Sequence, residues 1–529
     1  MTLDALRRLE AQRLELQAKL DAVKLRRERN QLGQFATPSQ LAITILQHAA
    51  RLFPGDQPVR FFDPAVGTGA FYSALLQAFA EERIDAAWGY EIDPHYGEAS
   101  RRFWEGRGIE IVIGDFTRAA PPKHETDRFN LLICNPPYVR HHHIPADDKK
   151  DLQARAAQSF RIKPVGLAGL YVYFVGIAHA WLQDGGLAGW LIPGEFMEVN
   201  YGSVLRHYLT SQVTLLEIHR FDPLEVQFDD ALVSSVIIWF RKQKPKPDHH
   251  VLFSLGGSPD RPRVQRQIAL NALHDEPKWT RFLTPTVRSN SQTKTELRFR
   301  DLFEIKRGIA TGANRFFILN TEQVHQHRLP DECLTPILPG PRYLETDEIE
   351  ADVQGNPLLQ NPLFLLDCAL PEDRVQKQYP TLWSYLQSGV AQGVSNGYLC
   401  RHRALWYAQD KRAPSPFLCT YMGRPSGGHT VNPFRFILNH SRAVAPNVYL
   451  NIYPRRMLAA ALVEKPDLKR IIWKSLQAIT TDMLVSEGRV YGGGLYKIEP
   501  NELGNLPVTT VFDWYHEFLA VPPQQEILF

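Results

Sequence analysis

The sequence predicts an α/β protein: a doubly wound parallel sheet of seven strands over residues 33–242, followed by a C-terminal α+β region over 243–529. Three observations carry this. Short apolar runs alternate with helical stretches through the first half of the chain. The first four runs each end in an unusual loop: Asp63-Pro64-Ala65-Val66-Gly67-Thr68-Gly69, Glu91, Gly114-Asp115-Phe116 and Asn135-Pro136-Pro137-Tyr138. Sheets of this kind bind ligands at the carboxyl ends of their strands, so special residues there mark a site. Finally, the alternation dissolves into shorter elements past the basic, Pro-interrupted run Arg241-Lys242-Gln243-Lys244-Pro245-Lys246-Pro247, which sets a domain boundary.

Residues 2–32 contain no Pro or Gly and read as one helix, with Leu6, Leu9, Leu16, Leu20 and Val23 at heptad-like spacing and Arg13 breaking the seam. Three roles stay open for it: packing on its own body, a dimer contact, or an arm along DNA phosphates. After Gly33-Gln34-Phe35-Ala36-Thr37-Pro38 a second helix begins, with Thr37 expected as its N-cap and Pro38 at its first position. Strands follow at 59–62, 87–90, 110–113, 130–134, 187–192, 215–219 and 233–240. The apolar stretch Val165 to Leu182 is long enough to raise a membrane span, but its glycines, Tyr171, Tyr173 and His179 point to a buried helix of the α/β domain.

Composition narrows the function classes. The 529-residue chain has 44% hydrophobic and 22% charged residues, which suits two or more globular domains. A net charge of only +3 means that any nucleic-acid surface is local. The five cysteines are widely spaced, which argues against a zinc ribbon or disulfide framework and fits a reducing compartment. With a charged N-terminus and no visible signal peptide, the expected location is cytoplasmic. His141, His142 and His143 lack partners for a metal site and read as a polar loop, so no metal is expected.

The chemistry concentrates at Asn135-Pro136-Pro137-Tyr138. Two prolines fix φ twice and remove two backbone donors. What remains is an acceptor cluster, the Asn135 carboxamide oxygen and backbone carbonyls, beside the flat Tyr138 ring. Such a cluster suits a planar amino group that is gripped and stacked. Upstream, Gly67 and Gly69 sit at a strand-to-helix turn where a ligand can approach the backbone, although Tyr72 replaces the third glycine of a dinucleotide fingerprint. Glu91 ends the next strand about twenty residues on, where an acid can hold a ribose diol. In the C-terminal half, Lys306–Arg315 and Tyr491–Lys497 combine glycines with cations and read either as close-approach loops for phosphate or as structural turns.

Taken together, these motifs resemble the gamma-class N6-adenine DNA methyltransferases of restriction–modification systems over roughly residues 30 to 240. The C-terminal half resembles the target-recognition domain of TaqI-type enzymes through its two glycine-rich stretches. The resemblance implies a Rossmann-like seven-stranded S-adenosylmethionine-dependent methyltransferase sheet plus an α+β target-recognition domain. Residues 1–32 would form a helical extension, 33–242 the catalytic domain and 243–529 the DNA-recognition domain. It implies S-adenosylmethionine as cofactor, with Thr37 and the Asp63–Gly69 loop (Asp63, Ala65, Gly67, Gly69) at its methionine end, Glu91 at the ribose, Asp115 at the adenine amino group, and Phe116 and Pro137 as walls. It implies a flipped adenine held by Asn135 and the Pro136 carbonyl and stacked on Tyr138 and Phe228. Arg307, Arg315 and Lys497 would touch duplex DNA. The implied partners are double-stranded DNA and a cognate restriction endonuclease, with no membrane, acting as a monomer or as a dimer through the N-terminal helix. Competing readings are methylation of protein glutamine or RNA adenine, and a non-catalytic DNA-binding subunit.

Overall fold

The structure is a computed structural model that describes all residues except 26–27, 30–31, 223–233, 284–296, 425–431, 492, 510 and 513–529. It divides into two compact units, Met1–Arg288 with Tyr491–Gly494, and Ser289–Val490 with Leu495–Phe529.

The first unit is built on strands β1 (Val59–Asp63), β2 (Ile84–Glu91), β3 (Glu110–Ile113), β4 (Phe129–Cys134), β5 (Leu182–Pro193), β6 (Thr214–Arg220), β7 (Ser235–Arg241), β8 (His250–Ser258) and β9 (Arg261–Ala269). They form one nine-stranded sheet in the order β3-β2-β1-β4-β5-β7-β6-β8-β9. The first five pair in parallel, and β7 inserts antiparallel between β5 and β6. Among the described residues, the unit's helices of nine residues or more are α1 (Leu3–Val23), α2 (Ser39–Leu52), α3 (Ala70–Ala78), α4 (Pro94–Trp104), α5 (Ala146–Phe160), α6 (Leu170–Ala178) and α7 (Ser203–Ser211).

Side-chain alternation along the central strands explains why both sheet faces are covered. Phe61, Leu131, Ile133, Leu191 and Trp239 enter one core with α2 and α3. Their neighbours Phe62, Leu132, Cys134, Ile192 and Ile238 enter the other, with α5, α6 and α7. Helix α6 is the buried apolar helix anticipated from Val165–Leu182, but it starts only at Leu170. Among the described residues, no helix is long and apolar enough to cross a membrane.

Three expectations need correction. The expected seven strands are nine, and the boundary expected at 242/243 lies instead at Arg288/Ser289. The basic run is the β7–β8 connection: the Lys242 ammonium donates to the Leu182 carbonyl at 2.7 Å, so its charge is held by β5. Strand β8 then pairs in parallel with β6. Second, the helix expected over 2–32 stops at Val23, where Lys24 turns extended. Third, Thr37 makes no cap: α2 starts at Ser39 without a side-chain cap, because the Thr37 hydroxyl accepts from Asn135 instead.

In the second unit a five-stranded sheet runs in the order Phe303–Arg307, Tyr449–Pro454, Phe417–Thr420, Phe436–Asn439, Glu348–Ile349. Its core joins Phe303, Phe417, Phe436 and Ile452 to helix Leu468–Gln477 through Leu468, Ile472 and Leu476.

Gly189 of β5 lies directly opposite Trp239 of β7, and a Cβ there would fall 2.4 Å from the indole. Gly189→Ala is therefore expected to destabilise the first unit by about 1–3 kcal/mol through overpacking, measured by denaturant unfolding.

Candidate functional site

Four loops leave the sheet at the carboxyl ends of β1 to β4 and meet around a cavity of about 740 Å³. At the end of β1, Asp63 is only 1% exposed and accepts from the Ala65 amide at 3.1 Å. Burial pushes its carboxyl up to about 7, against the effect of that amide. The adjacent Cys134 thiol is pushed well up as well, by burial and by the Asp63 charge. The loop then turns at Gly69, with φ +83°, where a Cβ would fall 2.4 Å from the Trp104 indole nitrogen. That indole donates to the Thr68 carbonyl at 3.0 Å, which fixes the turn.

Glu91 closes β2 with both oxygens engaged. The Asp93 amide donates to one at 2.9 Å and the Gly67 amide to the other at 3.1 Å. Burial raises its carboxyl to about 7, and the Asp93 charge adds to the rise. After β3, Asp115 accepts from the amide (2.9 Å) and hydroxyl (2.7 Å) of Thr117, which starts the short turn Phe116–Arg118.

After β4, Asn135 donates its amide to the Phe35 carbonyl at 3.2 Å and to the Thr37 hydroxyl at 3.1 Å. Its Oδ1 is buried and, among the described residues, has no hydrogen-bond partner. Tyr138 is held at both ends: its amide donates to the Gly33 carbonyl at 3.3 Å and its hydroxyl to the Leu191 carbonyl at 3.1 Å. Gly33 is required here, because it has φ +64° and a Cβ would come within 2.5 Å of the Tyr138 nitrogen. The Phe35 ring stands 5.8 Å from that of Tyr138.

Of the residues singled out in the sequence, Ala65, Gly67, Glu91, Asp115, Phe116, Asn135 and Pro137 line the cavity. Thr37, Asp63, Gly69, Pro136 and Tyr138 are not part of its lining; the contacts above place Thr37 against Asn135 and Asp63 against Ala65, which are. Phe228 lies outside the described residues. In the second unit, Arg307 and Lys497 converge on one ring, 4.1 Å and 5.1 Å from the centre of Tyr421. The Tyr421 hydroxyl donates to Glu499 at 2.6 Å, and Lys497 pairs with the same carboxylate at 2.8 Å. Arg315 is exposed on the helix Asn314–Phe317 and takes no part in that cluster.

The sequence reading missed the contribution of α1. Arg13, expected as a break in the apolar seam, is 1% exposed. Its guanidinium grips Glu10 with two bonds of 2.8 and 2.6 Å and donates to the Thr68 hydroxyl at 2.9 Å. Gln17 accepts from that same hydroxyl at 2.6 Å. Asp21 accepts from the Tyr96 hydroxyl at 2.7 Å. The helix thus packs on its own body, and Gln17, Asp21 and Lys24 line the cavity. Gln34 and Ile92 were also missed. Ile92 is 62% exposed at the cavity, and its position directly after Glu91 was the available signal.

Comparison with known proteins places this geometry. Residues 82–226 match the family described as Eco57I restriction-modification methylase, and residues 276–521 that described as Type II methyltransferase M.Eco57I, C-terminal domain. The chain is 28% identical to Type II methyltransferase M.XamI of Xanthomonas campestris pv. amaranthicola, covering 86% of this chain and 81% of that protein. It is 24% identical to Type II methyltransferase M.AccI of Acinetobacter calcoaceticus, over 90% of this chain and 85% of that one. Among solved structures it shares its fold with the Type IIL restriction-modification enzyme MmeI in complex with DNA, at TM-score 0.52 and 12% identity, covering 94% of this chain and 67% of that one.

The buried acids make a pH-dependent prediction. Asp63 holds its proton more tightly folded than unfolded, so its contribution to stability falls as pH rises from its unfolded value near 4 through about 7. Asp63→Asn, which mimics the protonated form, is expected to gain melting temperature relative to wild type as pH rises from near 5 to near 8. Thermal unfolding of the two proteins across that range reads the difference.

Proposed function

We propose that this chain is a DNA methyltransferase of a Type II restriction–modification system. In this reading it transfers the methyl group of S-adenosylmethionine to N6 of an adenine swung out of duplex DNA. The observation that carries the reading is the Asn135 carboxamide. Its NH2 side is committed to Phe35 and Thr37, which leaves its buried, unpartnered oxygen as the acceptor a substrate would use. A buried acceptor without a partner costs about 1–3 kcal/mol, and a substrate N–H that satisfies it recovers that cost on binding.

The residues at the site fit S-adenosylmethionine. The cavity is of the right order for a nucleoside-sized ligand, and it carries an acid at the end of β2 and open backbone at Gly67, where a Cβ would meet nothing within 4 Å. Glu91 would hold the ribose hydroxyls and Asp115 the adenine amino group, between Phe116 and Pro137. Thr37 and the Asp63–Gly69 loop would hold the methionine end. When bound, the cofactor supplies a methyl group on a cationic sulfonium, a leaving group that needs no acid.

The remaining work falls to the chain. An extruded adenine offers an exocyclic nitrogen whose lone pair is delocalised into the ring. Asn135 Oδ1 and the Pro136 carbonyl would accept hydrogen bonds from its two N–H groups and draw the nitrogen towards tetrahedral geometry, which frees the lone pair for attack; the N–C bond forms as the S–C bond breaks, and the surplus N6 proton then passes to water. The Tyr138 ring stacks on the base and offsets part of the unstacking cost; its two backbone anchors keep that ring in place. Since no strong base is needed, positioning and fixed dipoles supply most of the rate.

Target recognition falls to the second unit, where the Arg307–Tyr421–Lys497 cluster presents two cations on one aromatic face and Arg315 adds an exposed one. A cognate endonuclease is the expected companion. The expected form is a monomer, or a dimer through the outer face of α1.

Expression in a methylation-deficient bacterial host, followed by mapping of modified bases, should reveal N6-methyladenine at one recurrent short motif. An unmodified genome would overturn the assignment. Asn135→Ala and Tyr138→Ala should each lower methyl transfer by about 10²-fold or more while cofactor binding, read by titration calorimetry, persists. Full activity in Asn135→Ala would sink the mechanism.

A further inference from the structure

The wall that α1 adds to the cavity carries a charge arrangement that the mechanism above leaves unused. Glu91 and Asp93 end β2 with two carboxylates, two residues apart. Lys24, just past the end of α1, pairs with Asp93 Oδ2. Gln34 donates to the same oxygen at 2.9 Å. The Asp93 amide in turn donates to Glu91 at 2.9 Å. The Lys24 ammonium also stands 5.1 Å from the centre of the Tyr96 ring. All five of these side chains line the cavity. The link from α1 to the acid at the end of β2 is therefore short and passes through one carboxylate.

We propose that Lys24 is a positioning residue for S-adenosylmethionine: by neutralising Asp93 it keeps Glu91 ionised and oriented to accept the two ribose hydroxyls. The inference rests on the cofactor assignment above. A diol offers two donors, and only a carboxylate accepts both; a protonated carboxyl becomes a donor itself. The charged groups facing Glu91 are Asp93 on its own loop, Asp63 from β1 and Lys24 from α1. Burial first and then the Asp93 charge favour the neutral form, and Lys24 is the opposing cation. Even with the lysine in place, Glu91 is held up to about 7. Without it the carboxyl moves further up, so it is protonated across more of the neutral range.

This role has a signature that a merely structural contact lacks. Full-length protein and Lys24→Met are titrated with S-adenosylmethionine by calorimetry near pH 6.5 and near pH 8.5. The variant should bind about tenfold more weakly near pH 6.5, and within about threefold of wild type near pH 8.5, where Glu91 ionises in either protein. Lys24→Arg should retain wild-type binding. The double variant Lys24→Met with Asp93→Asn should recover to within about threefold near pH 6.5, because the neutral side chain no longer repels Glu91 while it still caps α4. An equal loss at both pH values, or no loss, overturns the proposal. If Lys24→Met does not fold, Asp93→Asn alone carries the test: its binding should persist to lower pH than that of wild type, and an unchanged pH profile overturns the proposal. A wild-type protein that binds no S-adenosylmethionine overturns the cofactor assignment and this inference together. Wild-type binding with a pH-independent variant overturns this inference alone.

Discussion

The site depends on one docking event: the loop Gly33–Thr37 lies against the turn after β4. Tyr138 donates its amide to Gly33, and Asn135 donates its carboxamide to Phe35 and Thr37. These bonds fix which way the Asn135 amide faces. They use its donors on the protein side and leave its buried oxygen without a partner among the described residues. Two consecutive prolines make the turn too stiff to relax around a wrong orientation. The same contact explains why Thr37 does not cap α2 and why residue 33 must lack a Cβ. Local helix propensity thus yields to the site.

A second constraint comes from charge. Asp63 and Glu91 stand close enough to repel each other, and both are buried at the sheet's carboxyl edge. Backbone amides offset part of the desolvation, from Ala65 for one and from Asp93 and Gly67 for the other. An arrangement that holds two acids near neutral pH is costly for folding alone. It is consistent with a site in which a ligand completes the hydrogen bonding.

Much of this was legible in the sequence because each strand ends in residues with a hard backbone meaning. Asn-Pro-Pro and Asp-Pro with two glycines leave few conformations open, so β1, β2, β3 and β4 and their loops fall where expected. What was not legible depends on distant partners. Arg13 looks like a flaw in an apolar helix until Glu10, Ser39, Ser73 and Thr68 are brought around it. Strand β9 was missed because its alternation is one of exposure against partial burial, with Arg261 and Arg263 on the exposed side and Arg266 on the other. A Pro-interrupted basic run reads as a linker unless it is known that Lys242 is tied back to β5.

The position of β7 has a consequence for synthesis. It lies between β5 and β6, so the strand made last of those three must enter between two made earlier. On the ribosome, β5 and β6 emerge first and cannot pair with each other in the native order. Their apolar edges must wait for residues 235–241, and β6 waits again for β8. The emerging chain therefore carries unpaired strand edges over an interval of synthesis, during which chaperone protection matters most.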